Sequence, residues 1–266
     1  MTARSSFTRY LVAAATSLAM AAPAVAADVT CWFPPNFPAD SARRITDALG
    51  ASGVSVEAHI AKSYPEILEA FSGKGANVAY VGSFVQAIFS VKQQGVTLVQ
   101  AVDGKQFYGS WMIYPKGGDP TAILRESPAK IAFAKGASSG ESGAKAATDG
   151  KASIATANHG AAAEAVKSGK AKAAFVKSWW WEANRAKYPE LEVHKVPGVS
   201  DAKNPDNVLT ASKHVDEGLR KKLKAAALAA PAAFGAQSMA EFSGDLSFSI
   251  GLMRKGKIDP ASYLFE

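Results

Sequence analysis

Two serines in a glycine-rich turn form the strongest chemical pattern in this sequence. Ser138 and Ser139 lie between Gly136 and Gly140, after a predicted strand from Lys130 to Ala134 and before a predicted helix. The first N–H groups of a helix have no partner inside it and carry the positive end of its dipole, so an anion fits there. The glycines let the backbone approach a ligand closely. The pattern indicates an anion site, or else serines that only cap their own helix.

The same turn also spells Gly-x-Ser-x-Gly, the pattern of a hydrolase nucleophile elbow with Ser138 as the nucleophile. Asp201 or Asp206, followed by His214, would complete the chain order of such a triad. However, no glycine-rich oxyanion loop with a histidine precedes the turn, and His214 stands beside a predicted helix start among lysines. The sequence therefore favours anion binding and leaves a serine hydrolase as the alternative.

Histidines and a lone cysteine are the other candidates for chemistry, at positions His59, His159, His194, His214 and Cys31. They show no metal-ligand spacing, so we expect neither a metal site nor a cofactor. Cys31 has no disulfide partner and falls in the first predicted strand, where a buried and inert thiol is expected. His159 begins a predicted helix directly after a loop, where its ring either donates to an anion or is an ordinary surface histidine.

Aromatic residues cluster at the predicted junctions between strands and helices: Trp32 and Phe33, Tyr64, Tyr108, and Trp179 to Trp181. Ligands of open α/β sheets bind at the carboxyl ends of the strands. Any one of these side chains is explained by packing, but together they favour a ligand cleft. We expect Tyr64, Tyr108 and Trp179 to line it.

Strands and helices alternate from residue 28 onwards without a low-complexity linker. This order predicts an α/β fold of mainly parallel sheets covered by helices. The elements divide into a first lobe over residues 28–113, a second over 114–206, and a return strand with C-terminal helices packing on the first lobe over 207–266. Ser238 with Glu241 reads as the capping box of one of those helices.

The N-terminus predicts export. Arg4 and Arg9 precede an apolar run from Tyr10 to Ala22, which ends in small residues, so residues 1–27 read as a cleavable signal peptide. The run is shorter than the roughly 20 apolar residues of a membrane span. The formal net charge is +7, two units of which belong to the leader arginines, and the lysines are scattered. We therefore expect a periplasmic protein and no nucleic-acid partner.

Several segments, in this order, resemble the phosphate, phosphite and phosphonate solute-binding proteins of bacterial ABC importers. They are a tyrosine-led helix, a strand with its turn, a strand preceded by a loop, the serine turn, and a helix leading to a Gly-Lys-Ala turn: Ser63 to Phe71, Asn77 to Ser83, Asp103 to Tyr108, Gly136 to Gly140, and His159 to Ala171. The likeness covers most of the chain after the leader.

This resemblance implies a two-lobed type II periplasmic binding protein with a two-strand hinge. It implies a monomer that captures a small oxyanion by cleft closure and delivers it to an ABC permease in the inner membrane. A periplasmic sensor of the same fold is a further alternative. The family's ligand contacts carry over to Tyr64, Ser138, Ser139, Gly140 and His159, and Ser83, Tyr108 and Trp179 complete the expected site.

Four positions depart from that family's pattern. Ala137 stands where the first loop serine is usual, and Gln86 where a second tyrosine is common. Lys172 and Lys177 stand where relatives often have aspartates. A buried primary amine needs an acceptor, which lysine does not provide. If either lysine faces the cleft, the sequence predicts preference for phosphate, phosphite or a simple alkylphosphonate over 2-aminoethylphosphonate.

Overall fold

A computed structural model describes residues 28–102 and 106–264. The predicted signal peptide lies outside the described residues. The strands are β1 Val29–Phe33, β2 Val56–Ile60, β3 Asn77–Val81, β4 Gly95–Ala101, β5 Phe107–Tyr108, β6 Ser110–Pro115, β7 Ile131–Ala134, β8 Ile154–Thr156, β9 Ala173–Lys177, β10 Leu191–His194, β11 Asn204–Pro205, β12 Val208–Ser212 and β13 Met239–Glu241.

The helices alternate with these strands. They are α1 Ala39–Gly50, α2 Tyr64–Ser72, α3 Ser83–Val91, α4 Pro120–Glu126, α5 Gly143–Ala147, α6 His159–Lys167, α7 Ser178–Asn184, α8 Glu217–Ala229 and α9 Ser247–Lys255. A π-helical turn, Ser138–Ser142, leads into α5. None of the helices in the described ranges is long and apolar enough to cross a membrane.

Two sheets form the cores of two lobes. The first lobe contains a six-stranded sheet in the order β13-β4-β12-β3-β1-β2, and the second a five-stranded sheet in the order β10-β6-β9-β7-β8. The predicted parallel pairing is confirmed for β1 with β2 and β3, and for β7 with β8 and β9. The sheets as wholes are mixed, because β12 returns from the second lobe antiparallel to β3 and β4, and β6 enters antiparallel to β9.

A two-stranded antiparallel sheet joins the lobes. It pairs β5 with β11, with Tyr108 opposite Asn204 and Phe107 opposite Pro205. This is the expected two-strand hinge. The predicted lobe division at residues 113 and 114 falls inside β6, whose pairs with β9 and β10 belong to the second sheet. The sheets thus favour a division at the hinge itself.

The C-terminal helices differ in what they cover. α8 packs on the first lobe through Leu223 and Ala227. α9 contacts both lobes, because Met253 joins a core cluster of the first lobe while Leu252 joins one of the second. Cys31 is fully buried in the first core, and burial raises the pKa of its thiol, as expected for an inert side chain.

Candidate ligand-binding site

A small cavity of about 120 Å³ lies where the two lobes and the hinge meet. Six of the eight side chains or backbones predicted from the sequence line it: Tyr64, Ser83, Tyr108, Ser138, Ser139 and His159. The cavity is also lined by Gly136 and Ala137 of the same turn and by Lys177, whose orientation the sequence left open. The remaining lining residues were not singled out for binding by the sequence: Pro34, Gly82, Phe84, Val85, Asp206 and Asn207. The cavity therefore collects residues separated by more than a hundred positions in the chain.

Four helical segments point their N-termini at this cavity. Tyr64 begins α2, Ser83 begins α3, Ser138 begins the π-turn that continues into α5, and His159 begins α6. Each follows a strand of a parallel pair, so the carboxyl edges of both sheets deliver these N-termini to one place. Converging N-termini give the cavity a positive potential without requiring a free basic side chain.

Three of the four helix starts at the cavity have no side-chain cap, whereas Asn158 caps α6 by accepting from the N–H of Ala161 at 2.9 Å. The residues preceding α2, α3 and the π-turn make no side-chain capping bond. By contrast, Asp119 caps α4 with two bonds, and Asp216 caps α8 with one, both away from the cavity. Uncapped N–H groups are satisfied by water or by a ligand. The arrangement is therefore able to bind a small anion.

The wall from the second lobe is the serine turn. Gly136 has a φ of +73°, a conformation that favours glycine, and its N–H donates to Glu141 at 2.8 Å. Glu141 also accepts from the hydroxyl of Tyr263 at 2.7 Å. Both bonds fix the turn, so that Ser138 and Ser139 are held buried against the cavity. The serines thus lie on a rigid support.

Two polar atoms of this wall are buried without a hydrogen-bond partner among the described residues: Ser138 Oγ and His159 Nδ1. The other ring nitrogen, His159 Nε2, lies 3.4 Å from Ser139 Oγ. Burial, followed by the positive charge of Lys177, lowers the pKa of His159 to about 3, so the ring is neutral at neutral pH. Unpaired buried polar groups are rare in folded proteins, and a ligand is one explanation for them.

On the wall formed by the first lobe and the hinge, by contrast, two hydroxyl groups are hydrogen-bonded to each other. Ser83 Oγ and the hydroxyl of Tyr108 lie 2.7 Å apart. Burial raises the pKa of Tyr108 although the bond with Ser83 opposes that shift, so the phenol stays protonated. Ser138 is near enough to influence the same phenol, yet its hydroxyl makes no bond of ordinary geometry there. Burial raises the pKa of Tyr64 as well.

An ion pair forms the third side. Lys177 Nζ lies 2.6 Å from Asp206 Oδ1, and Asn207 N donates to the same oxygen at 2.8 Å. Lys177 therefore lines the cavity with its charge already paired, whereas Lys172 is exposed on the turn before β9. Sequence patterns did not single out Asp206 for this role, because its partner lies 29 positions away and on another element.

Two residues that the sequence predicts as ligand contacts, Gly140 and Trp179, do not line the cavity. Gly140 lies outside the wall: a Cβ there would sit 2.6 Å from Ala134 O, so the glycine serves close packing of the turn against β7. Trp179 also lies outside it, since Trp181 enters the second core and Trp180 packs near His159, which leaves Trp179 on a different face of α7.

The departure at Gln86 is structural. Its side chain is buried, donates to Val208 O at 3.1 Å and accepts from Thr210 Oγ1 at 2.8 Å. These bonds tie α3 to β12 beneath the cavity.

A wider cleft of about 780 Å³ adjoins the small cavity and shares Tyr64, Ala137 and His159 with it, so this cleft gives access from solvent.

The geometry of a hydrolase triad is absent from the described residues. His214 is exposed after β12, Asp201 pairs with Lys203, and Asp206 pairs with Lys177. The histidine beside the turn is His159, which has no carboxylate on Nδ1 and a pKa lowered too far for a general base. The described part of the chain also contains no group of three or more metal-ligating side chains.

Comparison with known proteins also supports a ligand-binding protein rather than a hydrolase. The profile of phosphonate periplasmic substrate-binding proteins of ABC transporters matches residues 39–249. No curated protein sequence matches the chain.

Solved structures share the fold at low sequence identity. PhnD1 from Prochlorococcus marinus, in complex with methylphosphonate, has a TM-score of 0.65 and 15% identity over 86% of this chain and 98% of its own. The binding component of a Pseudomonas aeruginosa ABC phosphonate transporter has a TM-score of 0.64 and 14% identity over 86% and 88%. A Xanthomonas citri protein bound to ATP has a TM-score of 0.68 and 11% identity over 86% and 98%. At such identities the likeness shows the fold alone.

Proposed function

Because the chain belongs to the periplasmic phosphonate-binding proteins of ABC transporters, we propose that it captures one small phosphorus oxyanion in the cavity between its lobes. Phosphate, phosphite and simple alkylphosphonates are the candidates. Membership of this family supports a periplasmic location, and the permease of the same transporter is the proposed partner. Residues 1–26 or 1–27 would be removed on export, which leaves Ala27 or Asp28 at the N-terminus of the exported chain.

One observation carries the proposal: four helix N-termini and two unpaired polar atoms converge on a cavity of about 120 Å³. Sites for drug-sized ligands occupy roughly 300 Å³ or more, so this one suits a much smaller molecule. Helix N-termini and hydroxyls stabilise negative charge, and they donate in several directions around a tetrahedral anion.

The ligand would bridge the lobes. Ser138, Ser139 and His159 approach it from the second lobe, Ser83 and Tyr64 from the first, and Tyr108 from the hinge. Bonds to both lobes are made together only when the cleft is closed, so the ligand shifts the population towards the closed form. The closed form is what a permease distinguishes from the empty protein.

A thermal-shift screen of the purified chain without its leader tests the function. Methylphosphonate, phosphite and phosphate are compared with chloride at equal ionic strength. Ligand at a hundredfold excess over its Kd adds about 2.7 kcal/mol to the free energy of unfolding, which raises the melting temperature by several degrees. If none of the phosphorus anions raises it beyond the chloride control, the proposed ligand class is wrong.

A further inference from the structure

Lys177 has an unusual position for a lysine in an anion site. It ends β9 in the second lobe, and its Nζ lies 2.6 Å from Asp206 Oδ1 and 4.5 Å from the ring centroid of Tyr108. The side chains of Lys177 and Asp206 are 25% and 23% exposed. All three residues line the cavity.

Asp206 and Tyr108 together supply what a primary ammonium requires. A carboxylate oxygen compensates the buried charge, and the face of an aromatic ring attracts a cation within about 6 Å. In this chain both are engaged by Lys177. The ammonium group that occupies the position between Asp206 and Tyr108 is therefore that of Lys177.

We propose that Lys177 is a tethered cation that fills an ammonium subsite of the cavity and so restricts the ligand to phosphorus oxyanions without an amino group. The inference rests on the proposed function and names the substrate class of the same site. A ligand amine would either meet the like charge of Lys177 or have to displace it from Asp206, and both are unfavourable.

A second role for Lys177, direct binding of the ligand's anionic group, makes a different prediction. Loss of the lysine would then weaken every phosphonate, with no gain for one that carries an amine. Under our proposal the loss leaves Asp206 and Tyr108 open to a new cation. The two roles are thus separated by the ratio of two affinities.

The experiment is calorimetric titration with methylphosphonate and 2-aminoethylphosphonate at one pH and salt concentration. The wild type is expected to bind methylphosphonate at least tenfold more tightly. In Lys177→Met that preference should shift by at least tenfold towards the amino compound. Lys172→Met is the matched control, because it removes an equal charge from an exposed lysine in the turn before β9, the strand that ends at Lys177. The Lys172→Met variant should keep the ligand preference of the wild type.

A further variant tests the subsite itself. Lys177→Met combined with Asp206→Asn should lose the gain for the amino compound, because the carboxylate that receives the amine is gone. Circular dichroism confirms folding, and Lys177→Gln replaces Lys177→Met if the latter does not fold.

The outcomes separate the two proposals. An unchanged preference in Lys177→Met, an equal shift in Lys172→Met, or a gain that persists without Asp206 overturns the inference. So does a wild type that binds the amino compound as tightly as methylphosphonate. A wild type that binds neither of these compounds and neither phosphate nor phosphite contradicts the proposed function, and the inference fails with it.

Discussion

The two walls of the cavity differ in how complete they are without a ligand. On the first-lobe and hinge side, Ser83 and Tyr108 bond to each other at 2.7 Å. On the second-lobe side, Ser138 Oγ and His159 Nδ1 are buried with no partner among the described residues. An unsatisfied buried polar group costs about 1 to 3 kcal/mol, which a bound anion would recover. Under the proposed function, the second-lobe wall would therefore gain most from the ligand, because the hydroxyl of Ser83 on the first-lobe wall already has a partner.

The largest effect on stability and ligand affinity is expected where the serine turn of the second-lobe wall packs against β7. A Cβ on Gly140 would lie 2.6 Å from Ala134 O, so Gly140→Ala should move the whole serine turn. We expect a loss of about 1 to 3 kcal/mol in the free energy of unfolding, typical of overpacking, and a loss of ligand affinity greater than that of either serine variant. Denaturant unfolding and calorimetry measure the two quantities.

The matched control is Gly251→Ala in α9, where a Cβ would meet nothing within 4 Å. It should keep the wild-type affinity and lose no stability. If Gly140→Ala keeps the stability and ligand affinity of Gly251→Ala, then close packing of Gly140 against Ala134 does not fix the serine turn.

Removal of a single hydroxyl from that wall comes next. Ser138→Ala or Ser139→Ala should each weaken binding of methylphosphonate by about 1 to 3 kcal/mol, the range for a lost hydrogen bond to a charged group. Calorimetry gives the affinity, and circular dichroism confirms that the variants fold. Unchanged affinity in both would mean that these hydroxyls do not contact the ligand.

A smaller effect is expected on the opposite wall. Ser83→Ala should cost about 0.5 to 1.5 kcal/mol of binding free energy, because the wild-type hydroxyl already has a partner in Tyr108 and gains little from the ligand. The same titration is used. A loss larger than that of Ser138→Ala would reverse the comparison between the walls.

The smallest effect concerns acid sensitivity. Burial, followed by the charge of Lys177, lowers the pKa of His159 from 6.5 to about 3 in the folded state. The unfolded chain then binds more protons between those values, so this contribution to stability is complete above the unfolded pKa and is lost as the pH falls. From about pH 7 to about pH 6 the loss is at most about 0.7 kcal/mol.

Denaturant unfolding of wild type and His159→Gln at both pH values isolates this contribution. The variant should lack that part of the pH dependence. Equal pH dependence in the two proteins would show that His159 is not held neutral by its surroundings.

Sequence reasoning reached the two lobes, the hinge and most of the cavity because strands and helix starts carry local signals. The serine turn and the helix start at His159 are examples, since glycine, hydroxyl and junction positions are visible in a few consecutive residues. Ser238 and Glu241 misled it, because the segment Met239–Glu241 pairs with the edge of β4 as a strand. Tertiary pairing overrides a local capping signal.

What the sequence did not reveal depends on how segments fold against one another. Gly140 packs closely because the turn folds back onto Ala134, six positions earlier, and Lys177 pairs with Asp206 because the hinge brings together two elements 29 positions apart. Neither contact has a periodic or spacing signal. The orientation of a lysine towards the cavity or towards solvent likewise depends on which end of β9 it occupies.

The central claim is that the converging helix starts and the side chains of Ser138, Ser139 and His159 between the lobes bind the ligand. Its most direct test is calorimetric titration of methylphosphonate into the wild type and into the double variant Ser138→Ala/Ser139→Ala. The account predicts one site per chain in the wild type and an affinity at least roughly a hundredfold lower in the folded double variant, equal to about 2.7 kcal/mol. Equal affinity in the two proteins would contradict it.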